Sequence, residues 1–149
     1  MGRFAILLFA AALALTSCSK EHQPPSGRWI GHFESESVMV VAWLEITPAG
    51  DVRVSAPDLL DPGDPPEDQR AMMHSRLAND LSDSWGDVKM RRYDFDGHVF
   101  RKPGGFAPQM EWDSRTKQMK LVFYFGMQRS IRIPMSPVKD FNEDPWLNG

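Results

Sequence analysis

"VMVVAWLEIT", Val38 to Thr47, is rich in β-branched and aromatic residues and carries apolar side chains on both faces as far as Leu44. A strand with one buried face alternates apolar and polar residues. This one does not, so it is covered twice, by a core on one side and by a second element on the other. Downstream, "PAGD" (Pro48 to Asp51) reads as a turn, because proline presets its own φ and Gly50 tolerates φ > 0. "VRVS", Val52 to Ser55, continues as the next strand. Upstream, "GRWIGHFE" from Gly27 reads as a strand with Trp29 and Phe33 on one face and Ile30 out of strict alternation.

The second cover comes from the middle of the chain. "APDLLDPGDPPEDQ" reads as a proline-broken acidic loop that ends in a helix start: Asp64 as N-cap, Pro65 at the first helical position, Glu67 three residues after the cap. Met73, Leu77 and Leu81 recur every four residues, Trp85 extends the row, and Gly86 is placed to stop it. The spacing predicts one amphipathic helix, about 65–84, whose apolar stripe lies on the second face of Val38 to Leu44.

Beyond Asp87 the period returns to two. Val88 to Phe95 reads as a strand with Tyr93 and Phe95 on one face and Val88 and Met90 on the other; Asp96-Gly97 is a hairpin signal, and His98 to Arg101 resumes the strand. "KPGGFAP" is a loop. "QMEWD" leads through "SRTK" into "QMKLVFYF", with Met119, Leu121, Phe123 and Phe125 on one face. Gly126 to Gln128 turns the chain into "RSIRIPM", with Ile131, Ile133 and Met135 inward and Ser130 and Arg132 outward. About eight short strands in hairpin order, with one helix inserted after the third, predict a mainly β fold: an antiparallel barrel or strongly curved sheet over 27–137. Residues 138–149, "VKDFNEDPWLNG", read as an irregular C-terminal tail.

At the other end, "FAILLFAAALAL" (Phe4 to Leu15) follows a start whose charged side chain is Arg3. Twelve apolar residues fall short of the roughly 20 a helix needs to cross a bilayer and fit the h-region of an export signal. Leu15-Thr16-Ser17-Cys18 follows it and resembles the lipobox of bacterial lipoproteins. The resemblance implies diacylglyceryl attachment to the Cys18 sulfur, cleavage after residue 17, and acylation of the new amino terminus. Several acyl chains on one residue anchor stably, where a single chain binds only marginally. The alternatives are an ordinary cleaved signal with a cysteine nearby, or an uncleaved anchor. Ser19 stands where aspartate would be the inner-membrane retention signal, which favours the inner leaflet of the outer membrane, facing the periplasm. "SKEHQPPS", Ser19 to Ser26, is a short polar tether, making 18–26 the lipidated cysteine and its linker.

Loss of residues 1–17 leaves about 130 of 149 residues, enough for one domain with a single core. Cys18 is the single cysteine, so the fold holds without a disulfide. A formal charge of −3 with no block of lysines or arginines excludes the electrostatic footprint of a nucleic-acid binder.

Gly27-Arg28-Trp29 resembles the G-x-W of the first strand of lipocalin-like (calycin) barrels. That resemblance implies that Trp29 plugs the closed end and that an arginine from a late strand packs over it, for which Arg129, on the Ile131 and Ile133 face, is the candidate. The chain departs from that pattern in lacking a T-D-Y-type motif and a helix after the last strand.

No nucleophile elbow, P-loop, H-E-x-x-H helix or paired-cysteine metal site occurs, so no catalytic set, cofactor or metal is assigned, and an enzyme is not expected. His32, His74 and His98 lie on separate predicted elements without ligand spacing. Asp58, Asp61, Asp64, Glu67 and Asp68 crowd one loop like calcium ligands, but the spacing is no EF-hand and acids are expected at a helix N-terminus. "DFDGH", Asp94 to His98, is accounted for by the hairpin turn. The aromatic inventory is more suggestive. Trp29, Trp43, Trp112, Phe123 and Phe125 are the candidate ligand-binding residues, lining a cavity for an apolar molecule or simply filling a small barrel. The expected function is that of a lipid-anchored, non-catalytic envelope domain binding a small apolar or lipidic ligand, with a periplasmic adaptor or inhibitor acting by protein contact as the alternative.

Overall fold

The structure of the protein, a computed structural model, describes residues 23–104, 108–125 and 129–147. In chain order the elements are β1 (Gly27–Glu34), β2 (Val38–Ile46), β3 (Asp51–Ser55), β4 (Asp58–Leu60), α1 (Glu67–Trp85), β5 (Arg91–Arg92), β6 (Asp94–Phe95), β7 (Val99–Arg101), β8 (Gln109–Asp113), β9 (Gln118–Phe125) and β10 (Arg129–Val138). The strands pair antiparallel in the order β5-β3-β2-β1-β10-β9-β8-β7-β6, with β4 also on β2. The two terminal strands of that path, β5 and β6, are separated in sequence by Tyr93 alone. The sheet therefore curls into a nearly closed barrel whose edges are joined through the chain rather than by a hydrogen-bonded ladder.

β2 is buried on both faces, as its composition demands. Val38, Val40, Ala42, Leu44 and Ile46 point into the barrel with Trp29, Met110, Leu121 and Ile133. Met39, Val41 and Trp43 point outward with Ile30 and meet Leu77 and Leu81 of α1, flanked by Met73 and Trp85. Ile30 breaks alternation because both faces of β1 are covered as well. Each fully buried leucine stabilises the helix-to-sheet contact by about 1.5–3 kcal/mol, which is what holds a helix of this length in place. Inside the barrel, Gly31 stands where a Cβ would lie 2.5 Å from the Pro134 carbonyl and 2.6 Å from the Met135 sulfur, so only glycine lets β10 approach this closely. In the β2–β3 turn, Gly50 has φ +87° and its N–H donates to the Thr47 carbonyl.

Several expectations are corrected. The helix starts two residues later than its sequence signature, with Pro66 as N-cap and no side-chain cap. A residue before proline avoids the α region, which keeps Pro65 out of the helix; Pro66 precedes the helix at φ −54° and ψ 153°, and Asp64 pairs with Arg70 at 3.3 Å instead of capping. At the other end, Gly86 does stop the helix, in a right-handed conformation. The acidic loop contains a strand. Val38↔Leu60, Val40↔Asp58 and Trp43↔Ser55 keep one register, so β3 and β4 are a single strand interrupted at Ala56-Pro57, and the Val41 N–H reaches the Pro57 carbonyl at 3.2 Å. Pro57 has no N–H to offer a further partner, which breaks the ladder. The strand expected over Val88 to Phe95 is reduced to β5 and β6, interrupted at Tyr93. Gly126 to Gln128 lies outside the described residues.

Candidate functional site

The five aromatic candidates do not form one site. Trp29, which is 5 % exposed, and Trp112 lie toward the end of the barrel where the tether arrives, beside Phe95, which stacks on Phe100 at 4.3 Å. Phe123 and Phe125 lie toward the opposite end. Trp43 is on the wrong face: period-two alternation along β2 sends it out of the barrel, where it stacks on Phe141 (4.6 Å, 14°) and meets Trp85 edge-on (5.5 Å). Arg129 does not reach Trp29. Trp29 pairs with Pro137, and eight residues of extended strand, roughly 27 Å, separate Pro137 from Arg129.

The middle of the interior is filled, with Phe100, Met110, Met119, Leu121 and Ile133 almost wholly excluded from solvent. Two partly exposed apolar regions border this core. One is the end away from the tether, where Phe33, Phe123, Phe125 and Ile131 pack on the interior cluster yet remain partly exposed. The other is the seam of the barrel. β5 pairs with β3 only at Asp51↔Arg92 and Val52↔Arg91, so the edge of β3 beyond Val52 has no strand beside it among the described residues. A groove of about 480 Å³ runs along that edge over Val52 and Tyr93, members of the interior cluster, and Val54, which packs against it. Burial pushes the Tyr93 phenol up from its ordinary range, against the opposing pull of the Arg91 charge.

On the outside of the sheet, the C-terminal segment is irregular but not loose. It crosses between α1 and β1 as a strap. Trp146 stacks on His74 (3.9 Å, 11°), its indole N–H donates to the His74 carbonyl at 3.0 Å, and His32 Nδ1 lies 2.7 Å from the buried Pro145 carbonyl. His74 Nε2 is 2.8 Å from a Glu34 oxygen, and Arg70 is 3.2 Å from the other. At the next turn of the strap, Glu45 accepts from both Arg28 and Arg53, whose guanidinium groups lie over Phe141 and Trp85. Sequence reasoning missed this cluster, because its members come from β1, α1 and the tail. The one available signal was aromatic residues recurring in an otherwise polar tail.

Of the remaining polar candidates, Asp96 closes a hairpin and Asp58 lies within a strand. The Asp96 carboxylate accepts from the Val99 N–H (2.8 Å), the His98 N–H (2.9 Å) and Arg101, which hold it down at about 2. Asp58 lies in β4, where burial raises its carboxyl. Among the described residues no three His, Cys, Asp or Glu side chains gather to hold a metal, and no helix is long and apolar enough to cross a membrane. Cys18 and the lipobox lie outside the described residues. Comparisons with family models, curated proteins and solved structures found no match to this chain.

Proposed function

We propose that the protein is a lipid-anchored, non-catalytic domain of the bacterial envelope, held through Cys18 at the inner leaflet of the outer membrane, and that its barrel binds a small apolar or lipidic ligand. The observation that carries the ligand part is the partly exposed apolar lining of Phe33, Phe123, Phe125 and Ile131, continuous with the sealed core. Because Phe100, Met110 and Leu121 fill the middle, the ligand is taken shallowly, by the end of a chain rather than by a whole molecule engulfed. The anchoring part rests on the export signal and the lipobox resemblance. Pro24 packs by Gly50 at the Trp29 end of the barrel, and the six residue steps from Cys18 to Pro24 reach at most roughly 22 Å. An anchored chain would therefore turn its Trp29 end to the bilayer and its Phe123 end to the periplasm.

Both parts are testable in cells. C18A should lose fatty-acid labelling and membrane partitioning; retention of both would refute the anchor. The chain purified from its own envelope should carry an apolar adduct in native mass spectrometry, and fatty acids should quench its tryptophan fluorescence. An empty, unquenched protein would refute ligand binding.

A second reading, contact with another envelope protein, is favoured by the groove of about 610 Å³ between α1 and the strap, beside which Leu147 is 80 % exposed, with Met72 72 % exposed on the same helix. Cross-linking from a photoreactive residue at position 147 in intact cells tests it: one discrete adduct supports it, and none refutes it.

A further inference from the structure

We infer that the seam of the barrel binds an amphiphile with a single anionic head group, a carboxylate or a phosphate monoester, its chain lying over Val52, Val54 and Tyr93 and its head among Lys89, Arg91 and Lys102. This goes beyond the ligand-binding reading: the seam is a second apolar site, apart from the Phe33 and Phe123 end of the barrel, and its rim sets the charge of what binds there.

Three observations converge on the groove. Its floor is the barrel core itself, since Val52 and Tyr93 are almost fully buried and Val54 packs against them. Its volume, about 480 Å³, lies in the range of small-molecule sites, roughly 300–1,000 Å³. Its rim is cationic: Lys89, Arg91 and Lys102 line it, with Asp87 as the one carboxylate.

The charge distribution is what selects the ligand. The chain as a whole is acidic, and Arg28, Arg53, Arg70, Arg92, Arg101 and Arg132 each pair with a carboxylate. The three cations on the rim pair with none among the described residues. Like charges gathered at the edge of apolar surface repel one another, and an anion that neutralises them relieves that repulsion. Arg91 and Tyr93 line the same groove and the Arg91 charge acts on the Tyr93 phenol, so positive charge and apolar floor share one site. The Tyr93 hydroxyl donates to no described group. Chain and head are thus recognised together. A free anion would find only an open, solvated rim, and a neutral chain would leave the cations unmatched.

The test uses the full chain in a neutral detergent held at fixed concentration, titrated calorimetrically with dodecanoate, dodecyl phosphate, dodecanol and inorganic phosphate. Dodecanoate and dodecyl phosphate should bind about ten-fold or more tightly than dodecanol, the scale of one charge-assisted contact, and inorganic phosphate should not bind. K89Q/R91Q/K102Q should reduce dodecanoate to the affinity of dodecanol and leave dodecanol unchanged, while V54W, which fills the groove, should weaken both. Equal binding of dodecanoate and dodecanol by the wild type, or an unaltered triple variant, would overturn the anionic assignment and leave the apolar site standing. Binding of inorganic phosphate as tight as that of dodecyl phosphate would make the seam a free-anion site and also overturn it. Failure of all four ligands to bind would overturn the seam site and, because dodecanoate is among them, the shallow apolar site at the Phe123 end as well.

Discussion

Asp96 shows how one side chain closes a hairpin: a single carboxylate accepts from two backbone N–H groups and from Arg101, and Gly97 behind it takes φ +99°. Its carboxyl is held down at about 2 by those N–H donors first, against an ordinary 3.8. A group whose folded value is depressed contributes stability that is present above the unfolded value and is lost as pH falls through the folded one. Asp96→Asn should therefore lower the melting temperature at pH 7 and make little difference below pH 2; a difference that persists undiminished in acid would contradict this role. The Asp-Gly signal was readable in the sequence because turn chemistry is local. Trp43 was not readable in the same way. It belongs to a strand buried on both faces, and its hydrophobicity alone says nothing about which face it takes.

At the scale of elements, α1 and the strap cover the outside of β1 and β2, and they are held by different means. Leu77 and Leu81 are buried to 3 % and 0 % exposure, so Leu81→Ala should destabilise the protein by about 2–5 kcal/mol in urea unfolding, through lost burial plus the cavity left behind. The strap depends on rings and on two histidines contributed by other elements. Trp146→Ala removes the stack on His74 and the bond to its carbonyl, and should expose residues 139–147 to limited proteolysis while the barrel stays folded. If cleavage of that segment is unchanged, the strap is held by Phe141 instead. The helix was legible because Met73, Leu77 and Leu81 keep the 3.6-residue period. Its first residue was misplaced because two consecutive prolines compete for one N-terminal position. β4 was hidden because Pro57 and the acids around it have the composition of a loop, and only the ladder with Val38 and Val40 makes Asp58–Leu60 a strand.

For the whole molecule, the decisive feature is unequal closure of the barrel. β1, β2, β9 and β10 pair over long registers, whereas β5 and β6 contribute two residues each and meet through Tyr93. Hydrogen exchange should rank amides accordingly, slowest in β1, β2 and β9 and fastest in β5 and β6; protection of Arg91 and Arg92 equal to that of β2 would mean the seam is sealed and would leave no lateral route to the core. The sequence by itself determined the class of fold and the two-sided burial of β2, since periodicity and turn chemistry act over a few residues. It also singled out Cys18 as the candidate anchor. Tertiary structure alone decided how the sheet closes, that the tail docks, which aromatic residues share a space, and that Lys89, Arg91 and Lys102 ring one groove. Those outcomes depend on the register between strands remote in sequence, and register is set by how all the inward side chains fill the barrel together.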